Sequence, residues 1–397
     1  MSKISIKSVN DLVTDKGLHF KGATFGISSN LSFEVKPAIR TDNLLKVTKD
    51  KIGPAHITEH LVKLTLDKLD EIDSKPGLQQ DFIEENMVEK TSSGLALNVV
   101  KVLLRKDQMV TDTQVKYLSN IFTLYSYKGI SVVPLLYHYE TRIRSRVVKG
   151  GKSTFPVNEV LEPVDYETYY EFVKGFINEV KERKYTDQLV MSLPARLKHS
   201  KIPDYLELYK DIETPIIMQD GMGREQIAFQ DNIREVINGK GYSMAQKNGE
   251  KFILYGFDSK KVSFGGRPTA INPAKNVEQL LYGYSTFGAQ YTWPKMKIEQ
   301  KPENKGFKPS GRIYLSDEMG YAKKDYKTAQ TDIELWIEKN VPKGIGKDYR
   351  NYAKNYEAFK LIESFEILNQ GAKEGNLDSV ISKTSLENDL ERIRKTS

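Results

Sequence analysis

The chain of 397 residues contains no cysteine. This absence excludes disulfides, thiolate nucleophiles, iron–sulfur clusters and zinc sites built from cysteine. Histidine is also scarce, with five in the whole chain. Any chemistry therefore depends on carboxylates, hydroxyls, lysines, tyrosines and those few histidines.

Long apolar runs are absent as well. The first ten residues, MSKISIKSVN, hold no apolar core of signal-peptide length, and no window approaches the roughly 18 apolar residues of a membrane span. The sequence predicts a cytoplasmic protein without a membrane partner. It does not indicate an oligomeric state.

The charge balance is only mildly basic. There are 60 Lys and Arg against 53 Asp and Glu, giving a formal net charge of +7. This excess permits nucleic acid or another polyanion as a partner but does not require one. With 39% apolar residues the chain has enough material for a sizeable core.

The segment 185–259 shows the clearest pattern, in which short apolar runs alternate with helical periodicity. The runs are apolar on both faces and too short for helices, as is typical of buried parallel strands. Two amphipathic segments between them suit right-handed crossover helices. The predicted strands are 188–193, 215–219 and 252–257, and the predicted helices are 203–212 and 224–238.

Further strands and helices follow the same alternation along the chain. Strands are predicted at 23–27, 31–36, 94–104, 130–137 and 313–316, and helices at 57–72, 111–128 and from 165 onward. About eight strands separated by helices predict a (β/α)8-type, TIM-like barrel, with an open doubly wound sheet as the alternative. The predicted barrel covers 1–320, with a helix-rich insertion at about 42–92, and a helical region covers 321–397.

Polar residues directly after predicted strands are the main candidates for chemistry. Ligands of α/β folds bind at the carboxyl ends of parallel strands. Carboxylates that face one pocket can divide into an acid and a base or nucleophile, or hold a divalent metal, while arginines clamp a phosphate. The predicted catalytic residues are Asp220, Asp258 and Glu140, and the predicted substrate-binding residues are Arg196, Arg267, Arg142, Arg144 and Arg146.

The arginines after Glu140 alternate with apolar or small residues. As a β-ribbon this segment would present one charged face to a phosphate backbone, and a solvated hairpin is the alternative reading. The run Tyr255-Gly-Phe-Asp-Ser259 resembles the strand end around the nucleophilic aspartate of tRNA-guanine transglycosylases. That resemblance implies base exchange on nucleic acid at Asp258, although the family's zinc-binding cysteines are absent here.

The motif His56-Ile-Thr-Glu-His60 fits the H-x-x-E-H pattern and resembles that of the inverted-motif zinc peptidases. On a helix, His56 and His60 would share one face and could bind zinc, with Glu59 as the base. An amphipathic helix with two exposed histidines is the alternative.

Three functions compete at this point. The first is a barrel enzyme that uses strand-end carboxylates on a phosphate-bearing substrate, in glycosyl or base transfer or hydrolysis on nucleic acid. The second is a zinc metallohydrolase centred on His56, Glu59 and His60. The third is a non-catalytic nucleic-acid-binding or assembly protein. The cofactor is not determined, zinc and magnesium being the candidates.

Overall fold

A computed structural model gives the fold of the chain. It describes residues 38–40, 56–73, 75, 77–87, 94–126, 130–148, 151–186, 189–195, 197–212, 214, 216–224, 229–236, 253–260, 271–279, 284, 286–288, 310–340, 349–389 and 391. The protein is mixed α/β with mainly parallel strand pairing. It divides into two compact units, one made of 60–90 and 96–214 and the other of 1–59, 91–95 and 215–397.

The first unit is built on parallel strands covered by helices. The strands are β2 (His56–Thr65), β3 (Gly94–Leu104), β4 (Ile130–Val132), β5 (Leu135–Val148), β6 (Gly151–Pro163) and β7 (Leu189–Leu193). β3 runs parallel to β4 and to β5, and β4 runs parallel to β7. β5 then continues into a long antiparallel hairpin with β6.

The helices of this unit supply its apolar faces. Phe122 and Phe176 pack edge to face with ring centroids 5.1 Å apart and join two helices over the strands. A buried cluster of Tyr169, Tyr205 and Tyr209 hydrogen-bonds to Ser192 of β7. The helices are α1 (Leu66–Asp73), α2 (Leu78–Asn86), α3 (Asp112–Ser126), α4 (Tyr166–Glu182) and α5 (Ile202–Glu207), the last preceded by the 3-10 turn His199–Lys201.

The second unit contains parallel strands that also follow chain order. Its elements include β1 (Ala38–Arg40), β8 (Ile216–Asp220), α6 (Gln230–Val236), β9 (Ile253–Phe257), α7 (Lys275–Glu278) and β11 (Thr286–Phe287). β8 pairs parallel with β9, and β9 pairs parallel with β11. β1 pairs parallel with the first residues of β2.

A smaller antiparallel sheet and three helices complete this unit. The elements are β10 (Ile271–Pro273), β12 (Ser310–Leu315), β13 (Gly320–Asp325), α8 (Tyr326–Asn340), α9 (Tyr349–Glu374) and α10 (Leu377–Ile381). The sheet has the order β10-β13-β12. One face is covered by a core of Ile313, Ile333, Trp336 and Tyr356, with Phe359 packed against it.

Three predicted elements need correction. The helix predicted from Ile57 begins as strand β2, because Val62 and Leu64 are buried at alternate positions while Lys63 between them is exposed. The strand predicted to end at Tyr137 continues to Val148 as one arm of the hairpin. The strand predicted at 313–316 belongs to the antiparallel sheet and not with the parallel strands.

Six other predicted elements agree with the structure, whereas the helix predicted at 203–212 is formed at Ile202–Glu207 and the helix predicted at 224–238 at Gln230–Val236. The strands predicted at 94–104, 188–193, 215–219 and 252–257 and the helices predicted at 111–128 and from 165 are confirmed within a few residues. The strands predicted at 23–27 and 31–36 lie outside the described residues. The division of the chain near residue 320 stays a prediction.

Candidate functional site at the ends of β8 and β9

Two of the predicted catalytic acids lie at the carboxyl ends of neighbouring parallel strands. Asp220 is the last residue of β8, and Asp258 directly follows β9. The register pairs Asp220 with Phe257, so the two acids end adjacent strands. Both are fully buried, at 0% exposure. Asp is rarely fully buried unless it is paired, and ligands of α/β folds bind at this edge of a sheet.

Backbone hydrogen bonds connect the loops that follow the two strands. Gly221 N–H donates to Phe257 O at 2.8 Å, Gly223 N–H donates to Asp258 O, and Lys260 N–H donates to Arg224 O at 2.9 Å. The Oδ1 atom of Asp220 accepts the Met222 N–H at 3.2 Å and closes a tight turn. The two loops are therefore held together as one structure beside the acids.

The backbone beside the acids is strained. Met222 and Asp258 have φ values of 48° and 49°, in the left-handed region that residues with a Cβ rarely adopt. Asp tolerates this conformation better than Met, whose long side chain gains no local hydrogen bond there. Strain of this kind concentrates at functional sites, where the surrounding structure holds it in place.

Gly256 of β9 lies against Gln279, the residue that follows α7. Ser259 Oγ donates to Gln279 Oε1 at 2.9 Å, and Gln279 Nε2 donates to Asn276 O at 2.8 Å. A Cβ at Gly256 would collide with Gln279 Oε1, so only glycine lets this amide approach the strand. The network fixes the backbone that carries Asp258.

Helix α7 buries polar residues almost without interruption. Lys275, Asn276, Glu278 and Gln279 are at most 8% exposed. The Lys275 Nζ atom lies 2.6 Å from Glu278 and 3.0 Å from Asp389. Burial opposes the charge of Lys275, but the two carboxylates outweigh it and raise the pKa of the ammonium above its ordinary value. This ion triad joins α7 to residue 389 near the carboxyl-terminal end of the chain.

These residues were not identified by the sequence analysis. The apolar Val277 between them is buried as well. The polar residues around it look like ordinary surface positions, because their partners Ser259 and Asp389 are remote in sequence. No local pattern marks them.

Two cationic residues lie in the connected loops beside the acids. Arg224 is exposed, and Lys260 is half-buried. Their backbones are hydrogen-bonded, so they lie on neighbouring chains directly beyond the strand ends. A guanidinium and an ammonium at this edge suit an anionic ligand group. Both residues were missed at the sequence level because neither directly follows a strand.

Glu140 and three of the predicted arginines lie in the β5–β6 hairpin. Glu140 is exposed and lies within β5, where it pairs with Val160 of the hairpin. It therefore does not end a strand, and the position predicted for it is wrong. Arg142, Arg144 and Arg146 occupy alternate positions of β5 in this hairpin, which fits both the β-ribbon reading and the solvated hairpin, and their role in substrate binding stays a prediction. Arg196 and Arg267 lie outside the described residues.

The zinc hypothesis depended on a helix at His56 that is not formed. His56 and His60 lie in β2. Four residues of strand separate their Cα atoms by about 13 Å, whereas one helical turn would bring them to about 6 Å. The pair therefore lacks the spacing needed to share one ion. Among the described residues, no group of three or more His, Asp or Glu could hold a metal.

Comparison with known proteins gives no family. No family model matches the sequence, and no curated protein matches it significantly. Among solved structures, one match is 2,3-dimethylmalate lyase, a PEP mutase/isocitrate lyase superfamily member, at 11% sequence identity. It covers 94% of this chain and 99% of that chain with a TM-score of 0.29. A TM-score this low does not establish a common fold.

None of the described helices combines the length and apolar character needed to cross a bilayer. The cytoplasmic location stays a prediction.

Proposed function

We propose that the protein is a (β/α)8-barrel enzyme in which Asp220 and Asp258 carry out the chemistry on a phosphate-bearing substrate. The observation that carries this proposal is the pair of fully buried carboxylates at the ends of adjacent parallel strands. One carboxyl can serve as the acid while the other, ionised, acts as base or nucleophile.

Strand order supports the barrel over the doubly wound alternative. A doubly wound sheet reverses its strand order at a switch point. Within the unit of 60–90 and 96–214, the neighbours β3, β4 and β7 follow chain order, and β8, β9 and β11 do so in the other unit. Neither series contains a reversal. Each series is what a segment of a singly wound barrel would show.

The loop cations support an anionic substrate. Arg224 and Lys260 extend from the loops that surround the two acids. A phosphate is the group that such a pair recognises best, since a guanidinium can bind it bidentately. Glycosyl or base transfer on nucleic acid is the most specific reaction in this class.

Magnesium is the cofactor that these residues would suit. Mg²⁺ binds through one or two carboxylates and completes its shell with water and substrate phosphate oxygens. Asp220 and Asp258 could supply those carboxylates. Bound there, the ion would neutralise charge on the phosphate. The expected result is activity that EDTA removes and added Mg²⁺ restores.

The first test is substitution of the two acids. The variants Asp220→Asn and Asp258→Asn would be compared with the wild-type protein on nucleotides, sugar phosphates and short RNA, with products detected by mass spectrometry. General acid–base groups contribute about 100- to 10,000-fold, so turnover should fall by at least about 100-fold in each variant. Arg224→Met should chiefly raise KM, by roughly 10-fold.

A matched control is Asp317→Asn. Asp317 is exposed in the turn between β12 and β13, remote in sequence from β8 and β9, and its loss should leave turnover unchanged. Wild-type turnover in a folded Asp258→Asn variant would remove that residue from the mechanism.

A further inference from the structure

Tyr255, in the middle of β9, is a buried residue without an evident structural role for its hydroxyl group. The side chain is 0% exposed, and within the described part of the chain its hydroxyl finds no hydrogen-bond partner. Buried tyrosine hydroxyls usually have a partner. Tyr321 of the same unit donates to Glu357 Oε1 at 2.9 Å, and Tyr314 is paired with Ser364 at 2.8 Å.

The strand register places Tyr255 on the same face as Asp220. Tyr255 pairs with Met218, and Phe257 pairs with Asp220. Since paired residues of parallel strands share a face and alternate residues return to it, Asp220 and Tyr255 are diagonal neighbours. Diagonal neighbours lie about 7–8 Å apart, within reach of an aromatic side chain.

The opposite face of β9 is already filled. Gly256 lies against Gln279, which is fully buried and bonded to Ser259 and Asn276. The polar group on the Asp220 face is therefore not part of that network. A phenylalanine would pack like Tyr255 without leaving a buried donor unpaired, so the hydroxyl contributes nothing to the ligand-free fold.

We infer that the Tyr255 hydroxyl donates a hydrogen bond to an anionic oxygen of the ligand that Asp220 faces. This inference rests on the proposed function, because it assigns a further contact to the same site. Tyr255 would be a substrate-binding residue that recognises oxygen acceptors of a phosphate. It also explains why the sequence places a tyrosine among the otherwise apolar residues Ile253, Leu254 and Phe257.

The test is Tyr255→Phe in the full-length protein, with inorganic phosphate as the binding probe in calorimetry and thermal melting without ligand. The ligand-free Tm should stay the same or rise, since the change removes an unpaired buried hydroxyl. Phosphate affinity should fall about 10- to 100-fold, which is the range for a hydrogen bond to a charged group. In the turnover assay, kcat/KM should fall by a similar factor.

Tyr321→Phe is the matched control, because it removes a buried hydroxyl that has a protein partner. It should lower the Tm and leave phosphate affinity unchanged. Three results would overturn the role of Tyr255: a Tm that falls as in the control, unchanged phosphate affinity, or a wild-type protein that does not bind phosphate.

Failure of this inference can be told from failure of the proposed function. If Asp220→Asn and Asp258→Asn abolish turnover while Tyr255→Phe has no effect, only the contact by Tyr255 is wrong. If the two Asn variants keep full turnover, the catalytic role of the acids is wrong, whatever Tyr255→Phe does.

Discussion

Gly256 and Gly175 show how the surroundings of a single residue decide the effect of one added methyl group. A Cβ at Gly256 would collide with Gln279 Oε1 and lie 3.2 Å from Ser259 Oγ. Gly175 lies within α4, where a Cβ would meet only Val115 Cγ1 at 3.7 Å, an ordinary contact. The two substitutions should therefore change stability in opposite directions.

Gly256→Ala should lower the free energy of unfolding by about 1–3 kcal/mol, because displaced Gln279 leaves buried polar groups unpaired. Gly175→Ala should raise it by about 0.5–1 kcal/mol, since alanine favours the helix. Urea denaturation measures both. A Gly256→Ala variant as stable as the wild-type protein would show that Gln279 can move without loss.

Single elements were predicted best where local pattern and tertiary role agree. Helix α4 has its buried stripe at Phe172, Val173 and Phe176 and its N-cap at Asp165, all of which lie within one short segment. β2 was misread because its apolar positions fit helical spacing as well as alternation. The pairing with β1 shows that this segment is a strand. Such pairing joins residues that are distant in sequence, so the local sequence does not reveal it.

The residues of the candidate site also differ in whether the local sequence identifies them. Asp220 and Asp258 could be found from sequence because each directly follows a recognisable strand. Lys275 and Gln279 could not, since their partners Asp389 and Ser259 are remote in sequence. Glu140 was misplaced because nothing in the sequence around Tyr137 marks the continuation of β5 into a hairpin.

The N-cap of α4 gives a prediction at the same scale. The Asp165 side chain accepts the Thr168 backbone N–H at 2.9 Å and the Thr168 hydroxyl at 2.7 Å, and these bonds lower the pKa of the Asp165 carboxyl. Asp165→Ala should lower the free energy of unfolding by about 1 kcal/mol near neutral pH. Asp165→Asn should keep most of the cap.

The lowered pKa of Asp165 makes its contribution to stability depend on pH. Because the folded-state pKa of Asp165 is depressed, its stabilisation is present above the unfolded-state pKa of about 4 and is lost as pH falls through the lower folded value. Chemical denaturation at several pH values should show the difference between the wild-type protein and Asp165→Ala shrinking in acid. A difference that is constant with pH would contradict the role of the charge.

At the scale of the whole molecule, the ion triad of Lys275, Glu278 and Asp389 connects elements 114 residues apart. Lys275→Met should lower the free energy of unfolding by about 3–5 kcal/mol, because two buried carboxylates lose their shared cation. Asp389→Asn should cost less, since Lys275 keeps Glu278. Denaturant melts measure both, with the exposed Glu387→Ala as a control near the wild-type value. Equal effects of the two triad variants would contradict this account.

The chain segments that form the two units have a consequence for folding during synthesis on the ribosome. The unit of 60–90 and 96–214 precedes most of the other unit in the sequence, so it can begin to fold while the chain is still being made. The unit that carries Asp220 and Asp258 contains segments on both sides of it, and its Lys275 pairs with Asp389. This unit should therefore complete its fold later than the first one, once residue 389 has been synthesised.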